Sequence, residues 1–189
     1  MGAASAPPPL NGDAIRNVGQ LLPWLDRLPD PPDVTRFTPG GYTDTRDRET
    51  REAVSVLERH LHKRHDSVNG AFSAMTDKLW TEVESAMPGT VLDPEGFGVQ
   101  ALEEAEEYFR SESGELRELR KALDGSGVRS AYGASVFDAL ERLDRLFFDI
   151  VRWCQEIRWL VMIHDGVASP STGKTHKSGA ELVSSLTDS

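Results

Sequence analysis

The chain has 189 residues, with 31 acidic and 21 basic side chains and a formal net charge of −10. This length predicts one domain with terminal segments, and the negative charge disfavours bulk binding to nucleic acid or to an anionic membrane. A single cysteine, Cys154, excludes an intrachain disulfide and leads us to expect a reducing, cytoplasmic compartment. No run reaches the roughly 18 apolar residues that a membrane span needs.

The N-terminal part begins with residues 1–10, which are rich in Ala and Pro and predict a disordered arm. Apolar positions from 13 to 22 predict a short helix that Pro23 disturbs. A loop rich in Pro and Gly then covers 29–42. The apolar residues expected to tether these segments are Trp24, Leu25 and Leu28, then Val34 and Phe37. We interpret them as packing onto the domain; the alternative is a linear motif that docks into a partner's groove.

A long apolar ladder predicts a helix over 45–87, because its residues recur at steps of three and four. Asn69-Gly70 is a turn signal, but the ladder passes through it without an insertion, so we predict one continuous helix. The opening turns, 44–52, carry no apolar residue and should face solvent or a polar partner. The ladder consists of Val54, Leu57, Leu61, His65, Val68, Phe72, Met75, Leu79, Val83 and Ala86.

Two shorter helices are predicted next, over 94–111 and 114–124. Asp93-Pro94 is typical of a helix start. Ser113 can cap the second of these helices, and Gly125 or Gly127 can end it. The first helix carries acidic residues that we expect on its outer, solvated face: Glu103, Glu104, Glu106 and Glu107.

The strongest pattern lies over 135–165, where two adjacent apolar rows predict a central helix that contacts at least two neighbours. Ser135 and Asp138 resemble a capping box, and Gly166 can end the helix. One row is Val136, Leu140, Leu143, Phe147, Ile150, Cys154, Ile157 and Val161; the other is Ala139, Leu143, Leu146, Ile150, Trp153, Ile157 and Leu160. We therefore predict an all-α domain over 11–166, in which two long helices are covered by two to three shorter ones.

Residues 167–189 predict a flexible tail with a short terminal helix. Within it, the sequence from Ala168 to Thr175 matches a permissive phosphate-binding loop, whose candidate ligands are Gly173, Lys174 and Thr175. Only 14 residues follow Thr175, which leaves no room for the parallel strands that normally complete a nucleotide site.

Four potential metal ligands share one side of the 45–87 helix at spacings of three and four: Glu58, His62, His65 and Asp66. A transition metal needs three or four such groups. The alternative is that His65, which falls in the apolar ladder, is a buried histidine with a hydrogen-bonded ring.

No hydrolase, zinc-protease or dinucleotide motif is present in the sequence. We therefore expect no cofactor and favour a protein without catalytic activity. The predicted function is an acidic helical interaction module, such as an inhibitor, an antitoxin-like or immunity-like protein, a chaperone or a scaffold. It would bind a basic protein through Glu103, Glu104, Glu106 and Glu107. The alternatives are a phosphate- or nucleotide-binding protein using the loop at 173–175, and a homo-oligomeric structural component in which the apolar rows of 135–165 pack between subunits.

Overall fold

The computed structural model describes residues 11–37, 48–85, 99–128 and 134–164. These residues contain no strand, so the predicted all-α fold is confirmed. Two short 3₁₀ turns lie at Gly12–Ala14 and Thr35–Phe37. The α-helices are α1 (Val18–Leu25), α2 (Arg48–Ser85), α3 (Val99–Gly125) and α4 (Ser135–His164). No helix among the described residues is long and apolar enough to cross a bilayer.

Helix α4 is the centre of the bundle, as its two apolar rows predicted. The described members of both rows are buried, apart from the partly buried Trp153. Phe147 packs on Phe109 of α3, with ring centroids 5.3 Å apart. Trp153 meets Phe72 of α2 edge to face at 5.5 Å. The two rows therefore bind two different neighbours. Among the described residues, α2 and α3 of the same chain cover these rows, and the homo-oligomeric alternative stays a prediction.

The start of α4 differs from the predicted capping box. The backbone N–H of Asp138 donates to the carbonyl of Ala134 at 2.9 Å, so Ala134 precedes the helix. The Ser135 hydroxyl donates instead to Glu58 of α2 at 3.1 Å. The Ser135 side chain therefore makes a contact between α4 and α2 instead of capping α4. The predicted end at Gly166 lies outside the described residues.

Helix α2 is continuous through Asn69-Gly70, which confirms the predicted single helix. The described apolar residues of its ladder are buried, except for the partly buried Phe72. His65 lies at the edge of the core, with its side chain 18% exposed, and its ring nitrogen is 3.1 Å from Asp66. The prediction of a hydrogen-bonded ring is therefore confirmed, but the side chain is partly rather than fully buried. The prediction of solvated opening turns fails at Thr50, which is fully buried and accepts a hydrogen bond from Arg36 at 2.8 Å.

Helix α3 is one helix, so the predicted division into 94–111 and 114–124 is wrong. Ser113 does not cap a new helix; its hydroxyl is buried and donates to Asp144 of α4. Gly114 follows inside the helix. The predicted end is confirmed, because α3 stops at Gly125 and Gly127 takes a positive φ of 75°, a conformation that glycine adopts without a Cβ clash. Residues 94–98 lie outside the described part of the chain.

Helix α1 packs against α2 and α3, which confirms that this segment folds onto the domain. It starts later than the predicted 13–22, because Asn17 caps it by accepting from the Gln20 backbone N–H at 3.0 Å. It also continues past Pro23, which lies inside the helix and lacks a backbone N–H donor. Of the predicted tethers, Trp24, Leu25 and Phe37 are buried, and Leu28 and Val34 are partly buried.

Replacing Gly114 by Ala should raise the free energy of unfolding by about 0.5–1 kcal/mol, because glycine is a poor residue in a helix interior. A Cβ at this exposed position meets nothing within 4 Å. Urea unfolding of the full chain measures the change. The matched control is Gly12→Ala, which should destabilise the chain because its Cβ would lie 2.7 Å from Trp24 Cζ2. A loss of stability in Gly114→Ala would contradict this account.

Candidate functional site

The candidate site is the N-terminal half of α3, where the four predicted glutamates lie in two different environments. Glu103, Glu104 and Glu107 are exposed, as predicted. Glu106 is buried, with only 9% of its side chain exposed, so its predicted place on the outer face is wrong. The site therefore consists of three solvated carboxylates and one carboxylate inside the contact between α3 and α4.

Glu106 is surrounded by donors from both helices. Its Oε1 accepts from Gln155 of α4 at 2.8 Å and from Arg110, one turn further along α3. Its Oε2 lies 3.2 Å from Nη1 of Arg158, although the geometry is not that of a hydrogen bond. Arg158 also comes within 3.5 Å of Glu103. A buried carboxylate needs such compensation, because an unpaired charge in the protein interior is costly.

Two further polar contacts fix the position of α3. Ser113 and Arg117 both contact Asp144, the latter with Nε 3.5 Å from Oδ2. Since Glu106 meets residue 155 and Ser113 meets residue 144, α3 and α4 run antiparallel. These contacts determine which residues of α3 face the solvent.

Arg64 ties α2 to α3 by donating to Glu112 at 2.6 Å and to the Tyr108 hydroxyl at 2.9 Å. The pKa of Tyr108 is raised, mainly because burial disfavours the phenolate. This contact holds the middle of α2 against the same helix that carries the glutamates.

Cys154 is buried beside this site, as its place in the apolar row predicted. Burial, with a smaller contribution from the negative charge of Glu106, raises the pKa of the thiol to about 12. A thiol in this environment is a small apolar side chain rather than a nucleophile.

The four predicted metal ligands separate into two pairs. Glu58 Oε1 lies 3.8 Å from His62 Nε2, while its Oε2 accepts from Ser135. His65 and Asp66 form the other pair. Across the described ranges, no group of three or more His, Cys, Asp or Glu side chains is placed to hold a metal ion. The spacing on one helix face thus does not bring these four side chains together.

The predicted phosphate loop, Gly173, Lys174 and Thr175, lies outside the described residues, as do the arm at 1–10 and the tail at 167–189. Comparison with protein-family models, curated proteins and solved structures finds no match to this chain.

The buried role of Glu106 was present in the sequence but was missed there. Leu102, Glu106, Phe109 and Ser113 recur at steps of four, three and four, the same spacing that marks the apolar rows. This row cannot be recognised from apolar residues alone, because Glu106 and Ser113 are polar. Its partner Arg158 likewise lies four residues after Cys154 on α4.

Replacing Arg158 by Met should lower the free energy of unfolding by about 2 kcal/mol, because Glu106 loses a compensating charge. The loss is smaller than for a fully buried pair, since Arg158 is 30% exposed and Arg110 still contacts the carboxylate. Urea unfolding at constant pH measures it. The control is Lys121→Ala, whose pair with Glu118 is more than 70% exposed on both sides; it should change stability by less than about 0.5 kcal/mol. Equal losses in the two variants would contradict a special role for Glu106.

The Cys154 thiol should react at least about 100-fold more slowly with a disulfide reagent in the folded chain than in denaturant, because only the exposed thiolate is reactive. In the unfolded chain the thiol ionises near its ordinary pKa of 9.0, against about 12 when folded. The stabilisation that comes from burying the protonated thiol is therefore fully present below pH 9.0 and is lost as the pH rises towards 12. Cys154→Ala should lack that part of the pH dependence. Rapid labelling of the folded chain would contradict the burial.

Proposed function

We propose that the chain is a cytoplasmic protein-interaction module that binds a basic protein partner through an acidic surface on α3. We define the acidic face as Glu103, Glu104 and Glu107. Glu106, which the sequence grouped with them, is omitted because it is buried. The observation that carries the proposal is the presence of three exposed carboxylates within five consecutive positions of one helix.

The acidic face is supported by a rigid base. Glu106 projects from the same turns of α3 towards α4, where Gln155 and Arg158 contact it. A partner would therefore meet carboxylates whose backbone is already held in place, and such preorganisation lowers the entropic cost of binding.

Nearby cations neutralise this face only in part. Glu103 lies 3.5 Å from Arg158, and Glu104 accepts from the uncharged Gln100 at 2.9 Å. Arg110, the next cation along α3, contacts Glu106. Together with the net charge of −10, this leaves a local negative field that would attract a basic surface and speed its association.

The test uses the tagged full chain as bait in an extract of the native host, with mass spectrometry of what it retains. The variant replaces Glu103, Glu104 and Glu107 by Gln and keeps Glu106, so the buried contacts of α3 with α4 remain and only the exposed contact of Glu103 with Arg158 is weakened. We expect a basic partner whose affinity falls at least about tenfold in the variant and weakens with added salt.

The matched control is Glu115→Gln, Glu118→Gln and Asp124→Asn, which removes an equal number of charges from exposed positions in the C-terminal half of α3. It should reduce affinity by less than about threefold if position rather than net charge matters. A partner that binds the acidic-face variant as well as the natural chain would refute the proposal. An equal loss of affinity in both variants would show that the net charge of the chain, rather than the position of the acidic face, governs binding.

A further inference from the structure

The outer side of α4 carries two exposed aromatic side chains. Phe148 is 58% exposed and Trp159 is 49% exposed, while the opposite side of the helix is buried against α2 and α3. Trp is enriched among the residues that dominate binding energy at protein interfaces. These two therefore identify α4 as a second surface, distinct from the acidic face of α3.

The two aromatics lie on one line along the helix. They are 11 residues apart, which corresponds to three turns and about 16 Å. Arg152 and Gln155 lie between them, and all four residues fall within an arc of about 60°. Arg152 Nε also donates to Glu156 Oε1 at 2.9 Å, which places the acidic partner at the border of the same stripe. We define the α4 stripe as Phe148, Arg152, Gln155, Glu156 and Trp159.

We propose that the α4 stripe binds the α4 stripe of a second copy of this chain, with the two helices antiparallel. Phe148 of each copy then lies beside Trp159 of the other, and the two-fold axis passes between the levels of Trp153 and Cys154. A two-fold contact of this kind requires a surface that is complementary to itself. The α4 stripe meets that requirement because it has an aromatic residue at each end and charged residues between them.

The charges decide between the two directions of pairing. In the antiparallel pair, Arg152 of one copy lies opposite Gln155 and Glu156 of the other, so opposite charges approach each other twice. In a parallel pair, Arg152 would face Arg152 and Glu156 would face Glu156. Like charges across an interface are destabilising, so the antiparallel pair is favoured. One helix from each copy gives a small contact, and we expect a weak dimer with a Kd of about 1–100 μM.

Sedimentation equilibrium of the full chain, up to about 1 mM, tests the proposal. The natural chain should dimerise, and Phe148→Ala and Trp159→Ala should each weaken the dimer at least about tenfold. The control is Val56→Ala on α2, an exposed apolar residue (38%) away from the α4 stripe, and it should leave the dimer unchanged. A natural chain that remains monomeric throughout would overturn the proposal and leave this face to a different protein.

A charge-exchange experiment tests the direction of pairing. It uses surface variants, and circular dichroism verifies that each of them folds. Arg152→Glu places two acidic groups at each crossing, and Glu156→Arg places two basic groups there, so each variant alone should dimerise at least about tenfold more weakly. An equimolar mixture should form a heterodimer, because opposite charges then meet at both crossings. A mixture that associates no better than its components would overturn the antiparallel contact, and a dimer unaffected by every variant would place the interface elsewhere. The outcome is independent of the acidic face of α3.

Discussion

The bundle depends on the contact that α4 makes with two neighbours at once. Leu143 and Ile150 belong to both apolar rows and are fully buried, while Phe147 and Trp153 direct one row to α3 and the other to α2. Burying one large apolar side chain stabilises a fold by roughly 1.5–3 kcal/mol, whereas an exposed ion pair contributes about 0.2–1 kcal/mol. The apolar rows therefore supply the stability, and the surface charges modify it.

Buried polar contacts supply the specificity that apolar rows alone would lack. Two contacts fix both the rotation of α3 about its axis and its register along α4. They join Glu106 to Arg158 and Ser113 to Asp144. A shift of α3 along or around its axis would leave a carboxylate buried without a partner, which is strongly unfavourable. The same contacts determine which glutamates point outwards, so the proposed partner surface follows from how the interior is paired.

The sequence predicted the fold well where burial followed apolar spacing, as in α4 and through Asn69-Gly70 in α2. It failed where a polar side chain makes a contact with another helix. Ser113, Ser135 and Glu106 each have a local pattern typical of a cap or a solvated face, yet each is used in a contact with another helix. Such contacts depend on residues distant in the chain, and single-sequence patterns carry no information about them. The exposure of Phe148 and Trp159 likewise became visible only once the neighbours of α4 were placed.

Native-state amide hydrogen exchange of the full chain, resolved by residue, tests the central role of α4 most directly. An amide hydrogen exchanges only when the structure around it opens, so its exchange rate reports the local free energy of opening. We expect the slowest exchange in the middle of α4, around Leu143 to Cys154, together with the facing part of α3, and we expect these amides to exchange only on global unfolding. Amides in the middle of α4 that exchange faster than those of α1 or α2 would contradict it, because the bundle would then open without losing its supposed centre.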